Sequence, residues 1–312
     1  MGNEQHMKHS TSPLVREVDA QLRKATTEIP LPGLFDEEAY TCFLYQLADS
    51  IRRISYVTTL SQKNTHLSNA HLKSIYFNPI KEAIALRNSN ELDEAIWLIF
   101  IAICTGKHKD NGWELCRQIY TGLTTSVYWS WQNASREPIS LANWIDANAA
   151  RLKRISPFGN HRKFETFNPS NPNRISRTFE SYISWALSYQ NHAGMIRELC
   201  VSSRGDNFES VYHSLSSVRR FGRLARFDFL TMLGKLDLAP LEPSHAYIQG
   251  SSGPAEGVRQ LLGVQTSVAV PEANRILELL GMFLPYSFIM QVLEDALCNW
   301  QKDPTEYKYF PG

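Results

Sequence analysis

Cysteine is sparse in this 312-residue chain: Cys42, Cys104, Cys116, Cys200 and Cys298 stand singly, with no Cys-x-x-Cys pair. That scatter argues against a disulfide framework and a zinc site, and fits free thiols in a reducing compartment. Long apolar runs are missing as well. The longest, Ala95 to Cys104, spans ten residues, against roughly 20 for a membrane helix. The opening MGNEQHMKHSTSP has no apolar core of a signal peptide. A soluble cytoplasmic protein without a membrane partner is expected. Neither a Walker-type phosphate loop nor a metal-ligand cluster is present, so no metal and no cofactor is expected. Alternating strand patterns are scarce and no internal repeat is visible.

What is present is enough apolar residue, 43%, to bury a sizeable core. Net charge is only +1, but it is unevenly spread. From Arg151 to Arg226 there are 13 Lys and Arg against 5 Asp and Glu, while the residues before sum to −2 and those after to −5. A basic band between acidic ends suits a phosphate-binding face on a globular protein.

Apolar spacing predicts helices almost throughout. Asp36 is placed to cap a helix through Phe43, Leu47 and Ile51, and Glu91 to Cys104 reads as a core helix, acidic at its start and apolar all round later. Asp110 or Asn111 is placed to cap a helix through Leu115 and Ile119, and Leu141 to Ile155 reads as one further helix. The stretch SPFGNHRKFETFNPSNPN from Ser156 to Asn173 breaks the period and reads as a boundary. Helices resume over 176–187, 192–200, 207–218 with Asp206 as cap, 271–282 and 286–300. The fold class expected is all-α.

Between Ser217 and Gln249 the order is helix, glycine turn, buried helix, acidic loop. Arg219, Arg220 and Arg223 surround Gly222, the residue most tolerant of positive φ, so a backbone there can meet phosphate with amides and charge together. Leu224, Phe227, Leu230 and Leu233 recur at near-helical spacing beyond it, and Glu242 follows Gly222 by twenty residues. Asp228 on this helix is the competing acid.

This order resembles the helix-hairpin-helix DNA glycosylases, whose hairpin reads G-x-G-x-x-T-A and whose acidic loop is of the type V-D-T-x-V. Gly222 falls on the second hairpin glycine, Ala225 near the small-residue positions and Leu241-Glu242-Pro243-Ser244 on the acidic loop. Arg220 stands where the first glycine would be, and Glu242 replaces the aspartate. More closely, FGRLARFDFLTMLGKL, LEPSHAYIQG and SGPAEG are similar to the α-glutamyl/putrescinyl thymine pyrophosphorylase-like proteins of clade three, over roughly the last two thirds of the chain. The resemblance implies two helical lobes with a cleft between them. Residues 1–33, polar with weak helix signals, read as a mobile N-terminal arm or a late-docking helix, 34–155 as an N-terminal helical lobe, and 156–312 as the helix-hairpin-helix lobe whose last helices pack back on the first.

It also implies work on hypermodified phage DNA bases, and some similar proteins look like defence glycosylases that remove glucosylated hydroxymethylcytosine. Hydrolysis of an N-glycosidic bond builds positive charge on the deoxyribose, which a fixed carboxylate stabilises. Glu242 is the candidate acid, with His245 placed to orient water. Arg220, Gly222, Arg223, Arg162, Lys163, Gly250 and Ser251 are candidates for the DNA backbone, and Tyr247, Gln249 and Trp113 for the base pocket. Glycosylases that also cleave the strand place a lysine two residues after the second glycine; here Leu224 stands there, so simple excision without Schiff-base chemistry is expected. The expected partner is double-stranded DNA carrying modified bases, with no obligate protein partner. Two alternatives remain: a transferase joining an amine or amino acid to a pyrophosphorylated hydroxymethyl pyrimidine in DNA, and a non-catalytic DNA-binding module.

Overall fold

The structure, a computed structural model, describes residues 12–63 and 76–310. Fifteen α-helices lie among the described residues, with no strand, and the one β-bridge is His108 with Gly112. In chain order they are α1 (Pro13–Glu28), α2 (Glu37–Ser61), α3 (Pro79–Asn88), α4 (Leu92–Thr105), α5 (Glu114–Tyr120), α6 (Trp131–Arg136), α7 (Pro138–Ala147), α8 (Ala149–Ile155), α9 (Ile175–Ser188), α10 (His192–Leu199), α11 (Arg204–Ser214), α12 (Arg223–Lys235), α13 (Gly253–Leu261), α14 (Val270–Phe283) and α15 (Ile289–Trp300). The chain divides into two compact units, Met1–Thr58 with Pro243–Gly312, and Thr59–Glu242.

In the first unit residues 13–28 form a docked helix and not a mobile arm. Pro13 fixes the first turn of α1, and Val15, Val18, Leu22 and Ala25, spaced three and four apart, are all buried in the core. Residues 1–11 lie outside the described residues. Asp36 accepts a hydrogen bond from the Ala39 amide at 2.9 Å and caps α2 as the sequence predicts. Trp300 at the end of α15 is tilted against Phe43 of α2, with ring centroids 5.2 Å apart, and its indole N–H donates to the Ala39 carbonyl.

The second unit is built around α4, whose residues from Ala95 to Ala102 are buried on every face. Trp97 and Phe100 meet Phe179 and Tyr182 of α9, the Phe100 and Tyr182 rings lying 3.5 Å apart and nearly parallel. Phe229 brings α12 onto the same cluster, edge-on to Tyr182. The irregular stretch after Ser156, read above as a boundary, is instead tied into this unit. The Gly159 amide donates to the Thr105 carbonyl at the end of α4, the Ile175 amide to the Thr166 carbonyl, and Phe158 stacks on Phe167 at 4.6 Å. Prolines and asparagines interrupt the helix there without separating domains.

A buried polar group joins α4 to α10. Asp93 accepts from the amides of His192 and Ala193, the His192 ring shares a 2.9 Å hydrogen bond with the Tyr182 hydroxyl, and its Nδ1 lies 3.3 Å from Asp93 without hydrogen-bond alignment. Burial lowers the His192 pKa, against the opposing pull of Asp93, so the ring is neutral in the folded state. The unfolded chain therefore binds the extra proton first. Stability is full above the unfolded histidine value of about 6.5 and falls as pH drops through it. The denaturation midpoint is expected to decline below about pH 6.5, and His192→Gln to flatten that decline, in thermal melts recorded across pH 5 to 8.

Candidate nucleic-acid interface and carboxylate site

Between α11 and α12 the chain passes through a 3-10 turn, Leu215–Ser217, and reverses over residues 218–222. The inner side of this turn is apolar. Val218 and Phe221 are buried, with the Phe221 ring 5.5 Å from Phe100, and the Arg219 amide donates to Ser181 Oγ of α9 at 2.9 Å. Arg219, Arg220 and Gly222 are left exposed on the outer side. The positive φ predicted at Gly222 falls at Arg220, at 60°, whereas Gly222 is extended with φ −73° and ψ −172°. An arginine in the left-handed region costs roughly 1–2 kcal/mol. Gly222 serves differently: it begins α12 without a side-chain cap, and a Cβ there would meet nothing within 4 Å. Arg220→Gly is expected to raise unfolding free energy by about 1 kcal/mol and reduce the salt slope of DNA binding by about one unit, read by denaturation and by titration against salt.

On α12, Asp228 draws in Arg162 and His161. Arg162 Nη2 donates to Asp228 Oδ2 at 3.1 Å, and His161 Nδ1 lies 3.8 Å away. Arg162 is buried, and its Nε donates to the Ile103 carbonyl near the end of α4, so the guanidinium joins two helices. The Asp228 side chain is 23% exposed and His161 62%, which leaves both within reach of a ligand. Burial alone would raise the Asp228 pKa, but His161, Arg162 and the buried Lys235 outweigh it and hold the carboxyl below its ordinary value. Glu165, three residues after Arg162, is pushed the other way by burial against the pull of Arg220 and Arg162.

Glu242 lies elsewhere in this unit. Its amide donates to the Arg204 carbonyl at 3.3 Å and its carboxylate is 3.9 Å from the Arg204 guanidinium, while Asn207 donates to the Pro240 carbonyl. Arg204 is the first residue of α11, and the arginine-bearing turn follows the last. Eleven helical residues rise about 16 Å, so Glu242 sits at the end of the hairpin away from the basic turn. Arg162, predicted to grip the DNA backbone, points inward because Asp228 and Ile103 hold it. Its neighbour Lys163 is exposed, with Nζ 5.1 Å from the centre of the Phe164 ring. Arg223 is the first residue of α12 and half-buried, and Trp113 precedes α5, also half-buried. Neither Asp110 nor Asn111 caps α5.

The remaining predicted residues belong to the first unit. His245 Nδ1 lies 2.7 Å from Glu278 Oε1, so that imidazole is engaged by a carboxylate of α14. Tyr247 has φ 49° and is half-buried, Gln249 and Gly250 are exposed, and Ser251 Oγ accepts from the Ala255 amide in the first turn of α13. Gln249 and Gly250 line a cavity of about 300 Å³ with Arg259 and Val268. What spacing missed was the Asp228 cluster as a whole, since its partners stand 66 residues earlier in an aperiodic loop. A groove of about 720 Å³ beside the turn is lined by Arg174, Arg177, Ser181, Trp185 and Arg219.

The family described as α-glutamyl/putrescinyl thymine pyrophosphorylase clade 3 matches residues 38–312. The chain belongs to this family. The match takes in the basic turn, Asp228 with its partners, and Glu242. No curated protein and no solved structure is a match. The family is linked to the processing of modified bases in DNA, so such DNA is the implied substrate. Among the described residues no helix is long and apolar enough to cross a membrane, and no group of His, Cys, Asp and Glu is placed to hold a metal ion.

Proposed function

We propose that the chain is a monofunctional DNA glycosylase that removes a bulky modified pyrimidine, glucosylated hydroxymethylcytosine first among them, and leaves an abasic site, with defence against phage as its role. The observation that carries this reading is the partly open, anionic Asp228, bonded to Arg162 and carried on the helix whose N-terminus, at the arginine-bearing turn, has no side-chain cap. Phosphate binds the α12 amides and the turn arginines, and an extruded nucleotide meets Asp228. As the C1′–N bond breaks, the base leaves with the bonding pair and is protonated from solvent water, and Asp228 stabilises the cationic sugar. His161, exposed and beside Asp228, accepts the proton of the water that attacks C1′. Glu242, beside Arg204, has no part in this chemistry.

One observation favours a second reading. Arg162, bonded to Asp228, and the buried Lys235 about two turns along α12 set two cations against one carboxylate, a balance suited to a pyrophosphate leaving group and hence to transfer of an amine onto a pyrophosphorylated hydroxymethyl pyrimidine. Incubation of the protein with modified and unmodified phage DNA, without nucleotide or amine donor, separates the two. Excision yields free modified base by mass spectrometry together with alkali-labile sites, from modified DNA alone. Pyrophosphate release that depends on an added amine, with the sugar-base bond intact, would contradict the excision reading.

A further inference from the structure

We propose that Phe164 is the wedge that enters the base stack and holds the target nucleotide out of the duplex, an inference that rests on the excision reading for its site but not on the chemistry there. At 81% exposure Phe164 is the most exposed large apolar side chain among the described residues. Exposure alone does not set this ring apart, since Phe35 and Met282 are nearly as exposed; its fixed base and its neighbours do. Its backbone is firmly held. The Glu165 amide donates to the Arg162 carbonyl, Arg162 is buried and bonded to Ile103 and Asp228, the Gly159 amide is bonded to Thr105, and the Phe158–Phe167 stack closes the loop beneath. A projecting ring on a fixed base can push, where one on a slack loop would fold away.

The surroundings specify the partner. Lys163 Nζ stands 5.1 Å from the centre of the ring, and His161 is exposed three residues before it. A partner that takes up a bare aromatic ring beside the Lys163 ammonium offers flat apolar faces between anionic groups, which is the chemistry of a base step flanked by phosphates. His161 and Arg162 of the same turn touch Asp228, so a ring inserted here leaves the displaced nucleotide beside that carboxylate. Phe164 is thus a positioning residue rather than a catalytic one.

The test uses the full chain and a duplex with 2-aminopurine next to the modified base, comparing Phe164→Ala, Phe164→Leu and wild type. Wild type is expected to raise 2-aminopurine fluorescence on binding, and Phe164→Ala to cut that rise at least about tenfold while DNA affinity stays within about threefold. Phe164→Leu is expected to recover most of the signal, and melting temperatures to stay equal because the ring is exposed. On a substrate whose target base lies in an unpaired bulge, Phe164→Ala is expected to release base at the wild-type rate. A fluorescence rise unchanged in Phe164→Ala would overturn the proposal, as would a loss equally large on the bulged substrate, or loss of binding to vesicles of anionic phospholipid in place of loss of extrusion. Extrusion that depends on Phe164 without any base release would leave the wedge standing and remove the excision reading instead.

Discussion

Replacing Asp228 with asparagine is expected to slow base release from modified DNA by about 10²- to 10³-fold, the range found when one preorganised electrostatic group is removed from an active site. Asparagine keeps the shape and can still accept from Arg162, so the loss reports the charge rather than the contact. Stability will fall as well, by about 1–3 kcal/mol, because Arg162 remains buried beside a neutral partner. Denaturation of the variant therefore accompanies the rate measurement, at a temperature where both proteins are folded. A rate within about threefold of wild type would remove Asp228 from the mechanism.

Gly159→Ala is expected to act on stability and activity together. A Cβ at this position would lie 2.6 Å from the Gly106 carbonyl carbon and 2.7 Å from Lys107 N and O, all backbone atoms that cannot rotate away. Gly106 itself has φ 65°, so the approach is between two glycines, one required by its φ and the other by the space left to it. Relieving the overlap costs about 2–3 kcal/mol by analogy with overpacked cores. The segment that must move carries His161 and Arg162, and a displacement of about 1 Å at Asp228 is enough to lower base release about 100-fold. Urea denaturation and single-turnover release give the two numbers. A variant as stable as wild type, with unchanged rate, would show that this loop does not position the site.

Much of the helical frame was legible because burial leaves a period. The acidic start and apolar remainder of α4 gave its limits almost to the residue, and Pro271 marks the first turn of α14. Local signals failed where another contact overruled them. The helix read from Leu141 to Ile155 begins at Pro138 and breaks at Asn148, and α11 starts at Arg204 because Ser203, not Asp206, supplies the cap. In α1 the stripe from Val15 to Ala25 was visible, but the polar residues around it concealed that the first unit's core covers it. The functional cluster was harder to read. The basic turn was legible as charge around a glycine, yet nothing local shows that Arg220 takes up the positive φ or that Arg162 turns inward to Asp228. The twenty-residue interval from Gly222 to Glu242 counts residues along the chain and carries no information about the side of the hairpin on which the loop returns.

The decisive measurement compares affinity for two duplexes, one carrying a pyrrolidine abasic analogue, cationic where the sugar develops charge, and one carrying neutral tetrahydrofuran. With Asp228 facing that sugar, wild type should prefer the cationic duplex by about 10² or more, Asp228→Asn should lose the preference, and Glu242→Gln should keep it. A preference that survives in Asp228→Asn, or one that disappears in Glu242→Gln, would contradict the assignment of the carboxylate to the arginine-bearing end of the hairpin.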